Sequence, residues 1–273
     1  MKNILVPTDF STASRNAINY AVYLAQAFNA ELTLINAIAP PIIVDDSLLA
    51  PVMVTQAEII EDHNKSMKKE IEDLSKKFAK INGFVEEGYA LDMISKWIKE
   101  KQVGLTVMGM KGKGKSNSVF GSTTTALIQR SSFPILIIPE TASFKPIDYI
   151  TFASDFNATI EIDRYTALLD IAERFDSLIN IINVRKKSSS LREEKSIGKM
   201  KTDLAFWKQK HQFHIINGSR VEEGINQFIE TNPTDILTMV AHKHSLFQRL
   251  FGKVHTKIMS YQTEIPLLVL QSA

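Results

Sequence analysis

The residues best suited to chemistry form a glycine-rich stretch in the first half of the chain. An apolar run ends at Gly109, Gly112 follows three positions later, and Gly121 precedes the hydroxyl residues Ser122 and Thr123. Glycine lets backbone N–H groups approach an anion closely, and a helix N-terminus adds unpaired N–H groups and a favourable dipole. Lysines between the glycines add positive charge. The stretch predicts a phosphate-binding loop, and a flexible basic surface loop is the alternative.

The same stretch also fits the P-loop pattern G-x4-G-K-[S/T], through Gly109, Gly114, Lys115 and Ser116. A P-loop is followed directly by a helix, whereas residues 117–121 contain two weak helix formers and a glycine. In addition, no apolar run that ends in aspartate follows in the first half to hold magnesium. These features disfavour the P-loop interpretation.

Two carboxylates and three histidines are the other candidates for chemistry. Asp9 and Asp155 each follow a short apolar run, and each is better explained as a capping or base-orienting group than as a general base. His242, His244 and His255 lie near lysines that would repel a cation, so we expect surface or loop histidines rather than metal ligands. The sequence therefore predicts neither a catalytic residue nor a metal site.

Four segments of the first half return in the same order in the second half, which predicts two copies of one unit. We place the copies at residues 1–142 and 146–273, joined near residues 141–145. The matching segments are residues 4–11 with 150–157, 24–28 with 171–175, 32–37 with 179–184, and 133–138 with 265–270.

Short apolar runs alternate with helical periodicity inside each copy. This alternation predicts an α/β fold in which a mostly parallel sheet of about five strands per copy is flanked by helices. Ligands bind such sheets at the carboxyl ends of the strands, where Pro7, Thr8, Asp9, Ala37 and Met108 fall beside the glycines. For the first copy we predict strands at residues 4–6, 32–37, 84–89, 105–108 and 134–138, and helices at 12–28, 56–80, 92–101 and 122–130.

Composition narrows the class of protein. The 273 residues carry 32 Lys+Arg and 30 Asp+Glu, and this net charge of +2 argues against a nucleic-acid partner. The absence of cysteine excludes disulfides and thiolate chemistry. The apolar run that Pro7 ends is too short for a secretory signal, and no stretch is long enough for a membrane span, so we expect a cytoplasmic protein with no membrane partner. Trp97 and Trp207 fall in helical patterns, and we expect both to be packing residues.

The order of these elements resembles the universal stress proteins over nearly the whole chain. The resemblance rests on the first strand with Asp9-Phe10-Ser11, the long second helix, Gly109-x-x-Gly112, Gly121-Ser122 and the last strand from Pro134. It is specific in the first half and weaker in the second. It implies a Rossmann-like fold of the adenine-nucleotide α-hydrolase-like kind. It also implies that the last strands, residues 134–138 and 266–270, pair to make an internal pseudo-dimer.

The resemblance further implies an adenine nucleotide, ATP with Mg²⁺, in the first half. Nucleotide-binding members carry G-x2-G-x9-G-[S/T], whereas the spacer from Lys113 to Phe120 has eight residues. Carried onto this chain, the adenine would meet Asp9 and the backbone near Ala37. The phosphates and ribose would be held by Gly109, Gly112, Gly121, Ser122 and Thr123.

The second copy differs at the same place. In our alignment Ala241 and His244 replace the two glycines and Lys253 replaces Ser122, so we expect no nucleotide there. The leading hypothesis is a cytoplasmic regulatory protein that is read by an unknown protein partner. A nucleotide-free scaffold and a slow ATPase are the alternatives, and pairing of whole chains into a homodimer is left open.

Overall fold

The computed structural model describes residues 1–40, 55–110, 121–130, 133–156, 162–185, 193–241 and 264–271. Strands and helices alternate within each half of the chain, and β5 is followed directly by β6 where the halves join. The strands are β1 Asn3–Pro7, β2 Glu31–Ile38, β3 Ile81–Glu87, β4 Leu105–Gly109, β5 Ile135–Ile138, β6 Tyr149–Ala153, β7 Leu178–Arg185, β8 His211–Asn217, β9 Ile236–Ala241 and β10 Leu267–Gln271. The helices are α1 Thr12–Phe28, α2 Gln56–Ser75, α3 Ala90–Glu100, α4 Ser122–Arg130, α5 Thr166–Phe175, α6 Glu193–Ala205 and α7 Val221–Thr231, and a 3-10 helix spans Ile162–Tyr165.

All ten strands form one sheet, in the order β3-β2-β1-β4-β5-β10-β9-β6-β7-β8. Strands β5 and β10 pair antiparallel, with Leu136 opposite Leu268 at the centre of the pairing. Every other neighbouring pair among the strands named above is parallel. The order reads the same for both halves from the central β5–β10 pair outward. The predicted fold, two five-stranded units joined through their last strands, is confirmed.

The helices cover both faces of the sheet. Residues of α1, α2 and α5 and the end of α6 pack on one face, and residues of α3, α4 and α7 pack on the other. Strand β1 contributes side chains to the hydrophobic core on both faces of the sheet, because successive side chains point to opposite faces. Ile4 and Leu5 are accordingly buried on different faces. Helix α1 lies close to the sheet because small residues, among them Ala17, Ala21 and Ala25, are fully buried on its inner side.

The connection between the halves is packed against both of them. Phe144 stacks on Tyr23 of α1 with 5.0 Å between ring centroids, and it contacts Phe175 of α5 at 6.1 Å. The ammonium group of Lys145 lies 2.6 Å from a carboxylate oxygen of Asp235, which also accepts backbone N–H groups at the start of β6. The domain limits at 142 and 146 themselves stay a prediction.

Helix α2 and strand β3 differ from the predicted boundaries of 56–80 and 84–89, which are wrong. The helix ends at Ser75, where the chain tightens into a turn and the backbone N–H of Lys77 donates to the carbonyl of Leu74, three residues back, at 2.9 Å. Phe78 still packs against the core, so its apolar character imitates one more helical turn. Strand β3 begins earlier than predicted, since Ile81 pairs with Leu32.

One of the two tryptophan predictions is also wrong. Trp97 on α3 is buried as expected, with 6% of its surface exposed, and its indole N–H donates to Glu86 Oε1 at 3.0 Å. Trp207 is 71% exposed and lies just after the end of α6. Its neighbour Phe206 turns inward instead and is fully buried.

Candidate functional site

A cavity of about 700 Å³ lies at the carboxyl ends of β1, β2 and β4, the edge that the sequence predicts. Eight of the predicted residues line it. Ser122 is the first residue of α4. Gly112 lies outside the described ranges, as do His242, His244 and His255 and the P-loop candidates Gly114, Lys115 and Ser116. The full lining is Pro7, Thr8, Asp9, Ser11, Thr12, Ala13, Ser14, Ile35, Asn36, Ala37, Ala90, Met93, Ile94, Met108, Gly109, Gly121, Thr123, Thr124 and Glu140.

A hydrogen-bonded turn joins β1 to α1 at the rim of the cavity. Phe10 has a positive φ of 59°, and its backbone N–H donates to Thr8 Oγ1 at 3.0 Å. The backbone N–H of Ser11 donates to Asp9 Oδ1 at 3.0 Å. Ser11 is the N-cap of α1, since its hydroxyl oxygen accepts the Ser14 N–H at 3.3 Å. The turn is therefore held by its own side chains and presents the carboxylate of Asp9 to the cavity.

Hydrogen bonds also set the protonation of Asp9. Partial burial acts to raise its pKa, but hydrogen bonds from the side chain and backbone of Ser11 and from the side chain of Ser14 outweigh it. The pKa of Asp9 therefore lies below the ordinary value of 3.8, and the side chain is a carboxylate at neutral pH. A permanent carboxylate suits the predicted capping or base-orienting role better than that of a general base.

Asn36, near the end of β2, connects this turn to helix α2 through hydrogen bonds. It is buried, and its Nδ2 donates to the carbonyl of Thr8 at 2.7 Å. Its Oδ1 lies 2.7 Å from Nδ1 of His63 on α2. Because the amide oxygen can only accept, Nδ1 of His63 carries the proton. Asn36 precedes Ala37, which the sequence places at this edge of the sheet, but no sequence spacing singles out the side chain of Asn36 or of His63.

Gly109 is required by packing against α1. A Cβ atom at this position would lie 2.4 Å from the carbonyl oxygen of Ala13 and 3.0 Å from the backbone nitrogen of Ser14. The end of β4 and the first turn of α1 thus approach at a distance that any side chain would prevent. Gly121 differs, because a Cβ atom there would meet nothing within 4 Å.

The register of the strands corrects the alignment of the second copy. Gly109 is opposite Ile138 in the β4–β5 pair, and Val240 is opposite Leu270 in the β9–β10 pair. Ile138 and Leu270 are themselves equivalent, since each lies two positions beyond the central residue of the β5–β10 pair. Val240, and not Ala241, therefore stands in place of Gly109.

The helix that follows β6 differs from α1 in a way that agrees with the valine at this position. Val240 is buried on the side of the sheet that α5 covers, where a side chain excludes the close helix approach seen at Gly109. Helix α5 has 10 residues, against 17 in α1, and the 3-10 helix Ile162–Tyr165 precedes it. The strand-end turn is nevertheless retained, because Phe156 N–H donates to Ser154 Oγ at 3.1 Å and Asn183 Nδ2 donates to Ser154 O at 2.8 Å.

Within the described ranges, no group of three or more His, Asp or Glu side chains is close enough to hold a metal ion. Asp9 and Glu140 are the acidic residues in the cavity lining. The helices described are each too short or too polar to cross a membrane.

Comparisons with known proteins agree with this architecture. The family model described as "Universal stress protein family" matches residues 1–139, just over half of the chain. A universal stress protein of Bacillus subtilis is 32% identical over 143 residues, which are 50% of this chain and 97% of that protein. One from Methanocaldococcus jannaschii is 26% identical over 144 residues, 50% of this chain and 81% of that protein.

One solved structure matches both halves together. The crystal structure of a universal stress protein from Archaeoglobus fulgidus superimposes with a TM-score of 0.73 at 16% identity, over 99% of this chain and 98% of that one. At this identity the match shows a shared fold. With the family match over the first half, it leads to one conclusion: the chain belongs to the universal stress protein family.

Proposed function

We propose that the first half of the chain binds an adenine nucleotide, ATP with Mg²⁺, in the cavity at the carboxyl ends of β1, β2 and β4. The observation that carries this proposal is that the first turns of two helices line one cavity, α1 through Ser11 to Ser14 and α4 through Thr123 and Thr124. Each helix N-terminus favours a negative charge. Two helix N-termini that line one cavity therefore favour the binding of a polyphosphate.

The remaining wall of the cavity suits a flat base. Ile35, Met93, Ile94 and Met108 supply an apolar surface on one side. The carboxylate of Asp9 can accept a hydrogen bond from an exocyclic amino group, and the backbone near Ala37 offers further groups at the end of β2. A volume of about 700 Å³ lies within the ordinary range for small-molecule sites. An apolar slot beside a polar, positively polarised end fits a nucleoside phosphate.

The phosphate end would be held by the backbone at Gly121 and by the hydroxyl of Thr123, in the open space that the missing Cβ of Gly121 leaves. Gly109 contributes backbone alone, because α1 already fills the place of its side chain. Because Asp9 would meet the base, Glu140 is the carboxylate of the cavity lining that remains to help hold a magnesium ion, directly or through water. When bound, the ion would neutralise phosphate charge.

We assign the protein a regulatory role in the cytoplasm, in which nucleotide binding in the first half is read by a protein partner. The second half contributes Val240 at the place of Gly109, and we expect it to stay empty. A nucleotide-free scaffold is the second candidate, favoured by one observation: the eight-residue spacer between Gly112 and Gly121 is a residue shorter than the family pattern.

The experiment is nucleotide content followed by titration. Purified protein is denatured and the released small molecules are identified by mass spectrometry, and stripped protein is then titrated with ATP and Mg²⁺. We expect one adenine nucleotide per chain, lost in Gly121→Val and kept in Gly104→Ala at the opposite end of β4. No binding to the wild-type chain would overturn the proposal and leave the scaffold. Two nucleotides per chain would contradict the silent second half.

A further inference from the structure

Helix α6 of the second half and the turn after it carry an apolar stripe on the solvent side. Ile197, Met200, Leu204 and Trp207 are spaced three or four positions apart, and their exposed fractions are 43%, 58%, 60% and 71%. At this spacing Ile197, Met200 and Leu204 lie on one side of the helix, and Trp207 follows in the turn just after its end. The buried positions on the same helix, Gly198 and Thr202, fall on the other side. We call these four residues the α6 stripe.

The fold does not require this stripe. Helix α2 occupies the corresponding place in the first half, between β2 and β3, and its solvent side carries charged residues. Lys65 there pairs with Glu61 at 2.8 Å, and Lys68 lies 4.0 Å from Glu72. The contrast shows that an ordinary polar surface serves the fold equally well. Four large apolar side chains together form a patch on the order of several hundred Å², a size that marks interaction sites.

The charge of the residues near the stripe indicates which class of partner it binds. In residues 196–210, whose side chains the structure describes, the sequence has four lysines and one acid, in a chain whose total net charge is +2. That acid, Asp203, contacts His211 at 2.9 Å, and Lys210 pairs with Asp176. Lys208 lies beside the stripe, with its ammonium group 5.3 Å from the centre of the Trp207 ring. This positive excess opposes a second copy of the same surface and favours an anionic partner.

The kind of cation separates a lipid partner from a protein partner. All four cations in residues 196–210 are lysines. Lysine is depleted in protein–protein interfaces, where arginine and aromatic anchors dominate. On a bilayer, in contrast, flexible lysines lie among the headgroups while Leu, Met and Trp enter the boundary with the acyl chains. We propose that the α6 stripe is a membrane-docking surface that binds the surface of a bilayer rich in anionic lipid.

This proposal concerns a reversible surface contact, and it stands apart from the nucleotide cavity, which lies in the other half. A single amphipathic helix binds weakly, so binding must depend on both parts of the surface. The apolar stripe supplies insertion and the lysines supply attraction to anionic headgroups. Vesicle binding should therefore be lost when either part is removed, and it should weaken as salt is added.

The full chain is tested by co-sedimentation with phosphatidylcholine vesicles and with vesicles that contain roughly one third phosphatidylserine. We expect about tenfold more protein on the anionic vesicles. Tryptophan emission gives a second readout, since Trp207 is exposed while Trp97 is buried and serves as an internal reference. Docking should move the emission to shorter wavelength in the wild type and not in Trp207→Ser.

Matched variants isolate the stripe. Leu204→Ser and Lys208→Glu should each reduce vesicle binding several-fold, whereas Tyr89→Ser, an exposed aromatic of the first half, and Lys68→Glu on α2 should not. All four positions are exposed, so circular dichroism should show an unchanged fold. Equal binding by wild type and Leu204→Ser, or no binding to anionic vesicles, overturns the proposal. An α6-dependent dimer or protein complex without vesicle binding would also overturn it.

Discussion

The ring Nδ1 of His63 lies 2.7 Å from the side-chain oxygen of Asn36, and the amide nitrogen of Asn36 lies 2.7 Å from the carbonyl of Thr8. A side chain of α2 is thereby connected, through one buried amide, to the turn that forms the rim of the cavity. The histidine itself does not line the cavity. Its contribution is to hold the one orientation of Asn36 that satisfies Thr8.

We expect His63→Ala to lower the free energy of unfolding by about 1 kcal/mol, since a hydrogen bond to a part-buried amide is lost. Asn36→Ala should cost more, about 2–3 kcal/mol, because both Thr8 and His63 lose a partner. Urea denaturation of the two variants and of the double variant measures the effect. The two losses should not add, and additive losses would show that the contacts are independent.

Gly109→Ala should destabilise the protein by about 3 kcal/mol, because the new methyl group meets the backbone of Ala13 rather than a side chain that could move. Gly121→Ala is the matched control. Its methyl group enters open space, and stability should change by less than about 0.5 kcal/mol. Thermal or urea unfolding separates the two. Equal stability of both variants would contradict the close approach of α1 to β4.

Asp9 should make stability depend on pH in the acid range. Its folded pKa lies below the ordinary value of 3.8, so its contribution is fully present above that value and is lost as pH falls through the folded pKa. Asp9→Asn should therefore be less stable than the wild type near neutral pH, by about 0.3–1 kcal/mol, the range for a charge near a helix N-terminus. Urea unfolding at neutral and acid pH tests this. A difference that persists below the folded pKa would show that the charge is not its cause.

The first half alone, residues 1–142, should form a dimer. In the full chain β5 pairs antiparallel with β10, and Leu136 is opposite its own equivalent, Leu268. A second β5 strand could occupy the same position with the same register. Light scattering of the isolated half should give twice the mass of one copy, and Leu136→Lys should reduce it to a monomer or prevent folding. A monomeric wild-type half with native circular dichroism would contradict this prediction.

The strands, the helices and the repeat could be predicted because each leaves a local pattern. The apolar run of β1, the spaced alanines of α1 and the returning segment at Ile150 are all visible in the sequence. The cavity could be placed in the same way, since parallel strands present their carboxyl ends at one edge.

What escaped prediction depends on contacts between distant residues. The exposure of Trp207 follows from Phe206 turning inward, and either aromatic residue satisfies the helical pattern. Val240 was missed because alignment by residue type favoured Ala241, while only strand register fixes the equivalence to Gly109. The bond between His63 and Asn36 joins positions 27 residues apart, with no spacing rule to signal it.

The two halves are covalently linked through the segment that contains Phe144. This link changes how the β5–β10 pairing depends on protein concentration. Two separate chains that meet through such strands would come apart on dilution, whereas joined halves meet at an effective concentration in the millimolar range for short linkers. Closure of the pair therefore does not depend on the protein concentration. Within one chain the last strand of each half pairs with that of the other half, so the two halves can diverge, one keeping Gly109 and the other acquiring Val240 and the α6 stripe.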